Sequence, residues 1–507
     1  MQDFGLLSLI PPILTIILAI KTKNVIISLF TGLFSGVLIL NNYNPFTSIQ
    51  SVIGDYFFVQ LTDSYNAGVI VLLSFIGGFV ALMEYSGGAK AFAISVSKFI
   101  NTKIKTVLSA WIGGILIFFS DLGTPLIVGP IFEPIFDKAK ISREKLAWII
   151  DSTASPVAVL VPFIGWGGYV MGLLEKEFQT LNLPISDYTA FINAIPFQFY
   201  PILCLVLVPL ICVIGLDFGP MAKAEKRVSE EGLIHPKGSN PMRKGDKFDE
   251  AGEIKSKPSL VFIPILVLLG TLLVILVPLG FPFKKIDGGT FRVALSTSYL
   301  FAAISIILLM LKNKIKTFKE SFDLYISGMQ RMVYVAITLI LAWSLGSVIK
   351  NLGTSSFIIQ IVDGNLPVFL IPLLIFICGA CMSFATGSSW GTFAIMIPLA
   401  VPLAVSLNAP LFVSIGAVLS GGLFGDHCSP ISDTTILSST GAGCDLIDHV
   451  KTQTPYALVA AVVTAISYLI AGFIENKFII LFSIFMLFIL VFIIYKVTLK
   501  KNNKIKN

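Results

Sequence analysis

Charged residues are scarce in this chain of 507 residues, making up 13% of it against 55% for hydrophobic residues, and the mean hydropathy is +0.88. Soluble domains carry about 25% charged residues, so this composition excludes an ordinary soluble protein. Uncharged stretches long enough to cross a bilayer recur along the chain, and the longest, from Gly364 to Gly425, must turn back on itself. We therefore expect an all-α polytopic membrane protein whose surroundings are the lipid bilayer.

Histidine and cysteine are also few, with 3 and 6 residues respectively. The cysteines lie almost entirely in apolar segments, which favours buried packing over a disulfide framework. Cys378-Gly-Ala-Cys381 has the spacing of a metal or redox motif, but no second pair or histidine cluster accompanies it. A Ser/His/Asp arrangement and an HExxH motif are both missing, which disfavours an enzyme.

Lys and Arg are concentrated between the apolar runs, as in the cytoplasmic loops of membrane proteins. The net charge of +7 therefore does not indicate a nucleic-acid partner. We expect the tail after Lys496 and the polar segment from Asp217 to Lys257 to face the cytoplasm, and Glu175 to Asp187 to lie outside. This pattern predicts about eleven spanning helices in a cell (inner or plasma) membrane, with the N-terminus outside and the C-terminus inside.

One short pattern, S-x-x-G-T followed by S-P, occurs twice. It is Ser120-Asp121-Leu122-Gly123-Thr124 with Ser155-Pro156, and Ser388-Ser389-Trp390-Gly391-Thr392 with Ser429-Pro430. The glycine motifs suit the tips of re-entrant hairpins, and each proline removes an amide and opens a helix. A helix broken in mid-membrane frees carbonyls, amides and helix-end dipoles for a substrate. The tip residues proposed to face a substrate are Ser120, Gly123, Thr124, Ser388, Ser389, Gly391 and Thr392.

The repeated pattern predicts two inverted repeats joined by a polar connector. Its mixed charge and low apolar content favour a solvated connector over a regulatory domain. The predicted segments are residues 1–216 for the first repeat (hairpin 106–136, broken helix 146–174), 217–258 for the cytoplasmic connector, 259–473 for the second repeat (hairpin 366–407, broken helix 411–443), and 474–507 for an extra transmembrane helix and basic tail.

Two carboxylates, Asp426 and Asp433, fall within an otherwise apolar span around Ser429-Pro430. Ionised carboxylates at membrane depth are costly, so they persist where they face a partner, a cavity or an ion. Oxygen ligands suit a small hard cation, and we predict Na⁺ at Asp426, Asp433 and Ser429. Na⁺ and H⁺ are expected as transported or coupling ions, with no cofactor. The predicted ion- and proton-binding residues are Asp426, Asp433, Asp121, Ser429, Thr434, Ser155, Thr153 and Asp151.

Several titratable residues have simpler interpretations. Glu84 and Glu133 are expected to be interfacial or packed helix ends. For Asp151, a functional role and a position close to the interface are about equally favoured. His427, beside the predicted break, is a candidate for tuning a carboxylate or carrying a proton, and a backbone-bonded structural histidine is the equal alternative. His449 is expected in a solvated loop near the cytoplasmic face.

The block from Gly425 to Ser439, continuing through Gly441 to Gln453, closely resembles the NhaC family of Na⁺/H⁺ antiporters. The resemblance extends to Asp121-Leu122-Gly123-Thr124-Pro125, to Asp151 through Pro156, and to Asp217-Phe218-Gly219-Pro220-Met221. It implies the ion transporter superfamily, with two hairpins, two broken helices and commonly a homodimer with a moving transport domain. Relatives of this kind include Na⁺/H⁺ exchangers, malate/lactate exchangers and amino-acid carriers.

Three functions remain open at this point. A Na⁺/H⁺ antiporter working by alternating access needs only a carboxylate that binds either ion, which Asp426, Asp433 or Asp121 supplies. A Na⁺-coupled transporter or exchanger of an amino acid or small organic acid also needs donors for a carboxylate, and Arg331 is the one marginal basic candidate at depth. A channel or membrane enzyme is third, because paired inverted repeats serve alternating access.

Overall fold

The computed structural model describes residues 4–22, 24–88, 91, 102–242, 256–281, 288–354, 357 and 366–506. Over these residues the protein is helical and contains no strand. Ten helices are long and apolar enough to cross a membrane, or up to twelve if each of two bent pairs is one span. The predicted all-α polytopic membrane fold is confirmed.

Helices on both sides of the polar connector make up the fold. Before the connector they are Ile10–Thr22, Val25–Leu40, Pro45–Ser51, Phe58–Thr62, Ser64–Tyr85, Lys103–Leu116, Gly123–Lys138, Arg143–Asp151, Ser155–Ala158, Gly165–Thr180, Asp187–Ala194 and Phe199–Ile214. The connector contains Gly219–Lys226, and after it come Ser259–Leu276, Gly288–Lys312, Phe318–Arg331, Val333–Asn351, Ile371–Thr386, Ser389–Ser406, Leu411–Cys428, Asp433–Ala442, Leu446–Phe473 and Ile479–Lys506. Short 3₁₀ or π turns are Gly5–Leu9, Val52–Phe57, Ile195–Phe197, Arg227–Glu231, Val277–Leu279 and Val368–Leu370.

Two helix pairs form the hairpins. The first hairpin is Lys103–Leu116 with Gly123–Lys138, and the second hairpin is Ile371–Thr386 with Ser389–Ser406. In the second hairpin the turn requires Gly387, whose φ of +68° is left-handed. A Cβ atom there would also lie 2.6 Å from the Ile431 carbonyl oxygen, so the tip is packed directly against the break of the neighbouring helix.

The same hydrogen-bond pattern closes both tips. The Ser120 hydroxyl accepts a hydrogen bond from the Gly123 amide at 2.9 Å, and the Ser388 hydroxyl accepts one from the Gly391 amide at 3.2 Å. In each motif the threonine hydroxyl donates back to the serine carbonyl, at 2.8 Å for Thr124 and 2.9 Å for Thr392. Ser388 is the N-cap of its helix, whereas the helix of the first tip follows Leu122, so Ser120 satisfies the Gly123 amide from the turn before that helix. The repeated S-x-x-G-T pattern is therefore explained locally by helix initiation.

Both serine–proline pairs mark interruptions. The helix Leu411–Cys428 ends immediately before Ser429-Pro430, and the chain becomes helical again at Asp433 after the Ser432 cap. We call Leu411–Cys428 with Asp433–Ala442 the second broken segment. In the first broken segment, Arg143–Asp151 ends before the short helix Ser155–Ala158, and Gly165–Thr180 follows.

The first hairpin packs against the second broken segment through glycines. A Cβ atom added at Gly129 would lie 2.4 Å from the Gly441 carbonyl carbon, and one at Gly441 would lie 2.1 Å from the Pro125 carbonyl oxygen. Small residues allow backbones to approach this closely where membrane helices cross. Elements far apart in sequence are thereby held together at one site.

The described part of the connector is docked rather than freely solvated. Lys145 Nζ lies 2.8 Å from Asp217 Oδ1, and Arg227 Nη2 lies 2.9 Å from Glu144 Oε1. The Met242 amide donates to the Cys444 carbonyl oxygen at 3.1 Å. The connector thus contacts both broken segments at their ends, which its mixed charge alone did not indicate.

The cysteines divide into two groups, and one differs from the expectation. Cys204, Cys212, Cys428 and Cys444 are buried, as expected, whereas Cys378 and Cys381 are exposed. The prediction of buried packing is wrong for this pair, because Cys378 and Cys381 lie on an outward face of Ile371–Thr386, beside the exposed Ile377 and Phe384.

Candidate functional site

A large cavity of about 1520 Å³ lies where the two hairpin tips meet the second broken segment. The first tip contributes Ser120 to Gly123, and the second contributes Gly387 to Gly391. Asp426, Asp433 and Thr434 complete this part of the wall. Residues that the sequence pattern singled out in both halves of the chain therefore share one space.

Asp426 is the most deeply placed carboxylate of the cavity wall. Its side chain is 5% exposed and lies in the last turn of Leu411–Cys428. Its Oδ2 atom lies 3.4 Å from the Thr434 hydroxyl, beyond the helix break. The C-terminal end of a helix carries partial negative charge on its free carbonyls, so a carboxylate there is stabilised by a cation or a proton.

Asp433 and Asp121 are two further carboxylates on the wall. Asp433 is exposed to the cavity and occupies the first turn of its helix, where the dipole favours negative charge. Asp121 is half-buried in the first hairpin tip. Among the described residues, neither these two nor Asp426 has an ion-pair partner within 4.0 Å.

The tip residues do not all face the cavity. Ser120, Gly123, Ser388, Ser389 and Gly391 line it, whereas Thr124 and Thr392 do not. Both threonines are buried, and their hydroxyls are engaged in the caps described above. Ser389 also donates to the Gly422 carbonyl oxygen at 3.3 Å, which ties the second tip to the helix that carries Asp426.

Asp151 does not line the cavity and lies in a buried polar cluster, whose Thr435 hydroxyl also lies 3.5 Å from the Asp426 carbonyl oxygen. The Asp151 side chain is 1% exposed, and its Oδ2 atom accepts from Gln453 Nε2 at 2.7 Å. The same oxygen lies 3.3 Å from His449 Nε2 and 3.7 Å from His427 Nε2. The Thr435 hydroxyl donates to it at 3.4 Å. Four polar side chains thus enclose Asp151, and its ion binding and its depth in the membrane stay predictions.

The two histidines belong to this Asp151 cluster. His427 faces Asp151 on one side and lies 2.8 Å from the Tyr200 hydroxyl through Nδ1. His449 is 0% exposed, so the predicted solvated loop is wrong at this residue. The helix Leu446–Phe473 begins at the Asp445 cap, and its first turns carry His449 and Gln453 inward.

The remaining predicted ligands lie outside the cavity lining. The Ser429 hydroxyl donates to the Phe384 carbonyl oxygen at 2.8 Å, and the Thr153 hydroxyl donates to the Ile149 carbonyl oxygen at 2.9 Å. The Ser155 hydroxyl is buried and has no hydrogen-bond partner among the described residues. Ion binding by these three stays a prediction.

Two cavity residues were undervalued by sequence reasoning. Glu84 was expected to be a packed helix end, yet it lines the cavity and bonds Ser120 and Arg331. Among the described residues that line the cavity, Arg331 is the basic one, and Glu133 is a further acidic one. A glutamate directly after one uncharged run, Ser64 to Met83, and an arginine directly before another, Met332 to Ile349, were the available signal. Their pairing across the sequence was not predictable from either run alone.

Aromatic side chains form another wall of the cavity. The Trp166 and Trp390 rings have centroids 5.0 Å apart, and those of Tyr169 and Trp390 are 4.6 Å apart. All three residues line the cavity. Within the described residues, no group of three or more His, Cys, Asp or Glu could hold a metal ion.

Comparisons with known proteins agree with this arrangement. A sequence model of the Na⁺/H⁺ antiporter family matches residues 157–473. The chain belongs to the Na⁺/H⁺ antiporter family. It is a multi-pass membrane transporter, and the resemblance to NhaC antiporters is confirmed.

Relatives of this chain match it over different lengths. An uncharacterized protein of Haemophilus influenzae is 32% identical over 485 residues, covering 92% of this chain and 91% of the relative. A malate-2H⁺/Na⁺-lactate antiporter of Bacillus subtilis is 41% identical over 106 residues, covering 21% of this chain and 22% of the relative. The crystal structure of the Alcanivorax borkumensis YdaH transporter has a TM-score of 0.57 at 13% identity, covering 83% and 87% of the two chains. This last likeness concerns the fold alone.

Proposed function

We propose that this protein exchanges Na⁺ for H⁺ by alternating access, with Asp426 as the carboxylate that the two ions share. The observation that carries the proposal is the position of Asp426. It is a buried carboxylate at a helix C-terminus, on the wall of a cavity, without an ion-pair partner among the described residues. Such a group needs a neutralising cation or proton, and either one suffices.

The neighbouring oxygens suit Na⁺. The Thr434 hydroxyl is 3.4 Å from Asp426, and Asp433 faces the same cavity. Hydroxyl, carboxylate and freed carbonyl oxygens are hard ligands that small cations prefer. Because the same carboxylate takes either ion, Na⁺ entry requires proton release, which is direct exchange by competition.

Alternating access requires the cavity to open to one side at a time. The cavity wall extends to Glu133 and Pro134, close to the end of Gly123–Lys138 that the basic residues predict to be cytoplasmic. We therefore assign the structure to an inward-facing arrangement. The homodimer, the inverted repeat and the orientation of the termini stay predictions.

A second candidate function is the Na⁺- or H⁺-linked exchange of a small organic acid or amino acid. The cavity volume favours it, since about 1520 Å³ exceeds the roughly 300–1,000 Å³ of ordinary small-molecule pockets, and a bare ion needs far less. The aromatic wall of Trp166, Tyr169 and Trp390 gives an organic solute a surface to contact. The antiporter of malate and lactate among the relatives is consistent with it.

The deciding experiment uses purified protein in liposomes that enclose a pH-sensitive dye. An imposed Na⁺ gradient should move protons without any organic solute if Na⁺/H⁺ exchange is the function. The matched control is Asp426→Asn, which keeps the shape of the side chain and removes its charge. Wild-type liposomes that move no protons until an amino or organic acid is added would reject the first function and select the second.

A further inference from the structure

A second charged group lies in the cavity away from Asp426. Glu84, near the end of Ser64–Tyr85, uses both of its oxygens. Its Oε1 atom accepts from the Ser120 hydroxyl at 2.6 Å, and its Oε2 atom accepts from Arg331 Nη1 at 3.0 Å. One carboxylate therefore joins the first hairpin tip to the helix Phe318–Arg331 of the other half of the chain.

Arg331 is the more open member of this pair. Its side chain is 47% exposed against 17% for Glu84. Its Nη2 atom reaches the Tyr85 hydroxyl at 3.5 Å, and its guanidinium lies 5.8 Å from the centre of the Tyr85 ring. A guanidinium has five N–H donors arranged to grip carboxylates in pairs. Glu84 and Tyr85 engage only part of this capacity, so Arg331 retains donors toward the cavity.

The charge of the wall limits what Arg331 can bind. Asp121, Asp426 and Asp433 lack ion-pair partners among the described residues, so each of them that is ionised disfavours a free anion in the cavity. An anion is accepted there when it arrives with a cation or carries its own ammonium group. Arg331 is the donor on the described wall that matches a carboxylate, and the carboxylates at the second broken segment match the accompanying positive charge.

We infer that Arg331 is the binding residue for the carboxylate of a small organic solute, and that Glu84 occupies this subsite in the solute's absence. The inference rests on the second candidate function and deepens it. Solute binding replaces the Glu84–Arg331 contact, and Glu84 then holds only Ser120. Because Ser120 donates to Glu84 and accepts from the Gly123 amide, a shift of Glu84 on solute binding acts on the first hairpin tip.

The inference predicts opposite effects for the two partners of the pair. Arg331→Gln removes the charge that holds the solute, so carboxylate affinity should fall by about tenfold or more. Glu84→Gln weakens the internal competitor, so carboxylate affinity should rise by a few-fold. Arg331→Lys should be intermediate, because lysine keeps the charge and lacks the paired donors. A merely structural salt bridge would instead make both Gln variants equally unstable and leave affinity unchanged.

The test is thermal stabilisation of the purified full chain in detergent. The probes are sodium lactate, sodium malate and the proteinogenic amino acids, each compared with NaCl at equal Na⁺ concentration. The matched control is Lys319→Gln, which removes one positive charge from the exposed face of the same helix. At least one probe should stabilise the wild type and Lys319→Gln beyond NaCl, and should act weakly on Arg331→Gln.

The outcomes separate this inference from the proposed ion exchange. An Arg331→Gln protein that keeps its Na⁺ stabilisation and loses the carboxylate response supports the subsite. If Arg331→Gln fails to fold, the other two variants are compared. A stronger carboxylate response in Glu84→Gln and a weaker one in Arg331→Lys then support the subsite. The inference is overturned if no carboxylate probe stabilises the wild type beyond NaCl. It is also overturned if the wild type and Arg331→Lys respond equally and Glu84→Gln shows no increase in affinity. Loss of the Na⁺ effect alone, with the carboxylate effect intact, contradicts only the Na⁺/H⁺ proposal.

Discussion

The carboxylates of the two broken segments differ sharply, although both precede a serine–proline pair. Asp151 is enclosed by Gln453, His449, His427 and Thr435, with the nearest donor at 2.7 Å. Asp426 faces a cavity and has the Thr434 hydroxyl at 3.4 Å. A buried carboxylate surrounded by donors is satisfied by the protein itself, whereas one beside a cavity is available to an ion. We therefore expect a structural role for Asp151 and ion binding at Asp426.

The largest expected effect is on ion binding at Asp426. Asp426→Asn should weaken apparent Na⁺ affinity by at least about tenfold, or ~1.4 kcal/mol, because the amide keeps the shape and loses the charge. Asp151→Asn should leave Na⁺ affinity within a few-fold of the wild type. Na⁺-dependent thermal stabilisation measures both. Equal losses in the two variants would show that the contrast between the segments is wrong.

Stability should show the reverse order. Asp151→Asn turns one acceptor oxygen into a donor among fixed donors, which should destabilise the fold by about 1–3 kcal/mol. Asp426→Asn should be near neutral without Na⁺, because the proposed exchange leaves Asp426 protonated there, and the amide keeps the shape of that neutral side chain. Apparent melting temperatures in Na⁺-free buffer test this. Gln453→Ala, which removes the 2.7 Å donor, is the companion variant and should behave like Asp151→Asn.

The dependence of Na⁺ binding on pH sharpens the same contrast. If Asp426 binds either ion, apparent Na⁺ affinity should fall as pH falls, by at most about tenfold per pH unit for one competing proton. Titrating Na⁺ at several pH values measures the slope. Asp151→Asn should keep this slope, since that carboxylate lies outside the cavity. A flat wild-type profile would favour a Na⁺-coupled solute carrier in which the carboxylates stay ionised.

The smallest effects concern the two hairpin caps. Ser388→Ala should cost about 1 kcal/mol, the usual effect of losing a helix cap. Ser120→Ala should cost more, because Ser120 also donates to Glu84 at 2.6 Å. Melting temperatures of the two variants give the comparison. A larger loss for Ser388→Ala would mean that the Glu84 contact contributes little.

Local sequence patterns were sufficient for the features that depend on neighbouring residues. Ser120 and Ser388 each accept from the amide three positions on, and Pro430 interrupts a helix through its own ring and missing amide. Both effects act within one turn of chain. Hydrophobic runs likewise predicted the spans, because a bilayer imposes one length on every crossing helix.

Sequence alone identified the acidic residues of the candidate site but not which of them line the cavity. The partners that satisfy Asp151 come from the start of Leu446–Phe473, and the partner of Glu84 comes from the end of Phe318–Arg331. No periodicity or spacing connects such distant positions. The sequence by itself determined where apolar spans occur, where helices break at the two serine–proline pairs and which apolar spans carry acidic residues. Only the tertiary structure decided which charges are enclosed by donors and which face the cavity, because that depends on how helices far apart in the chain pack together.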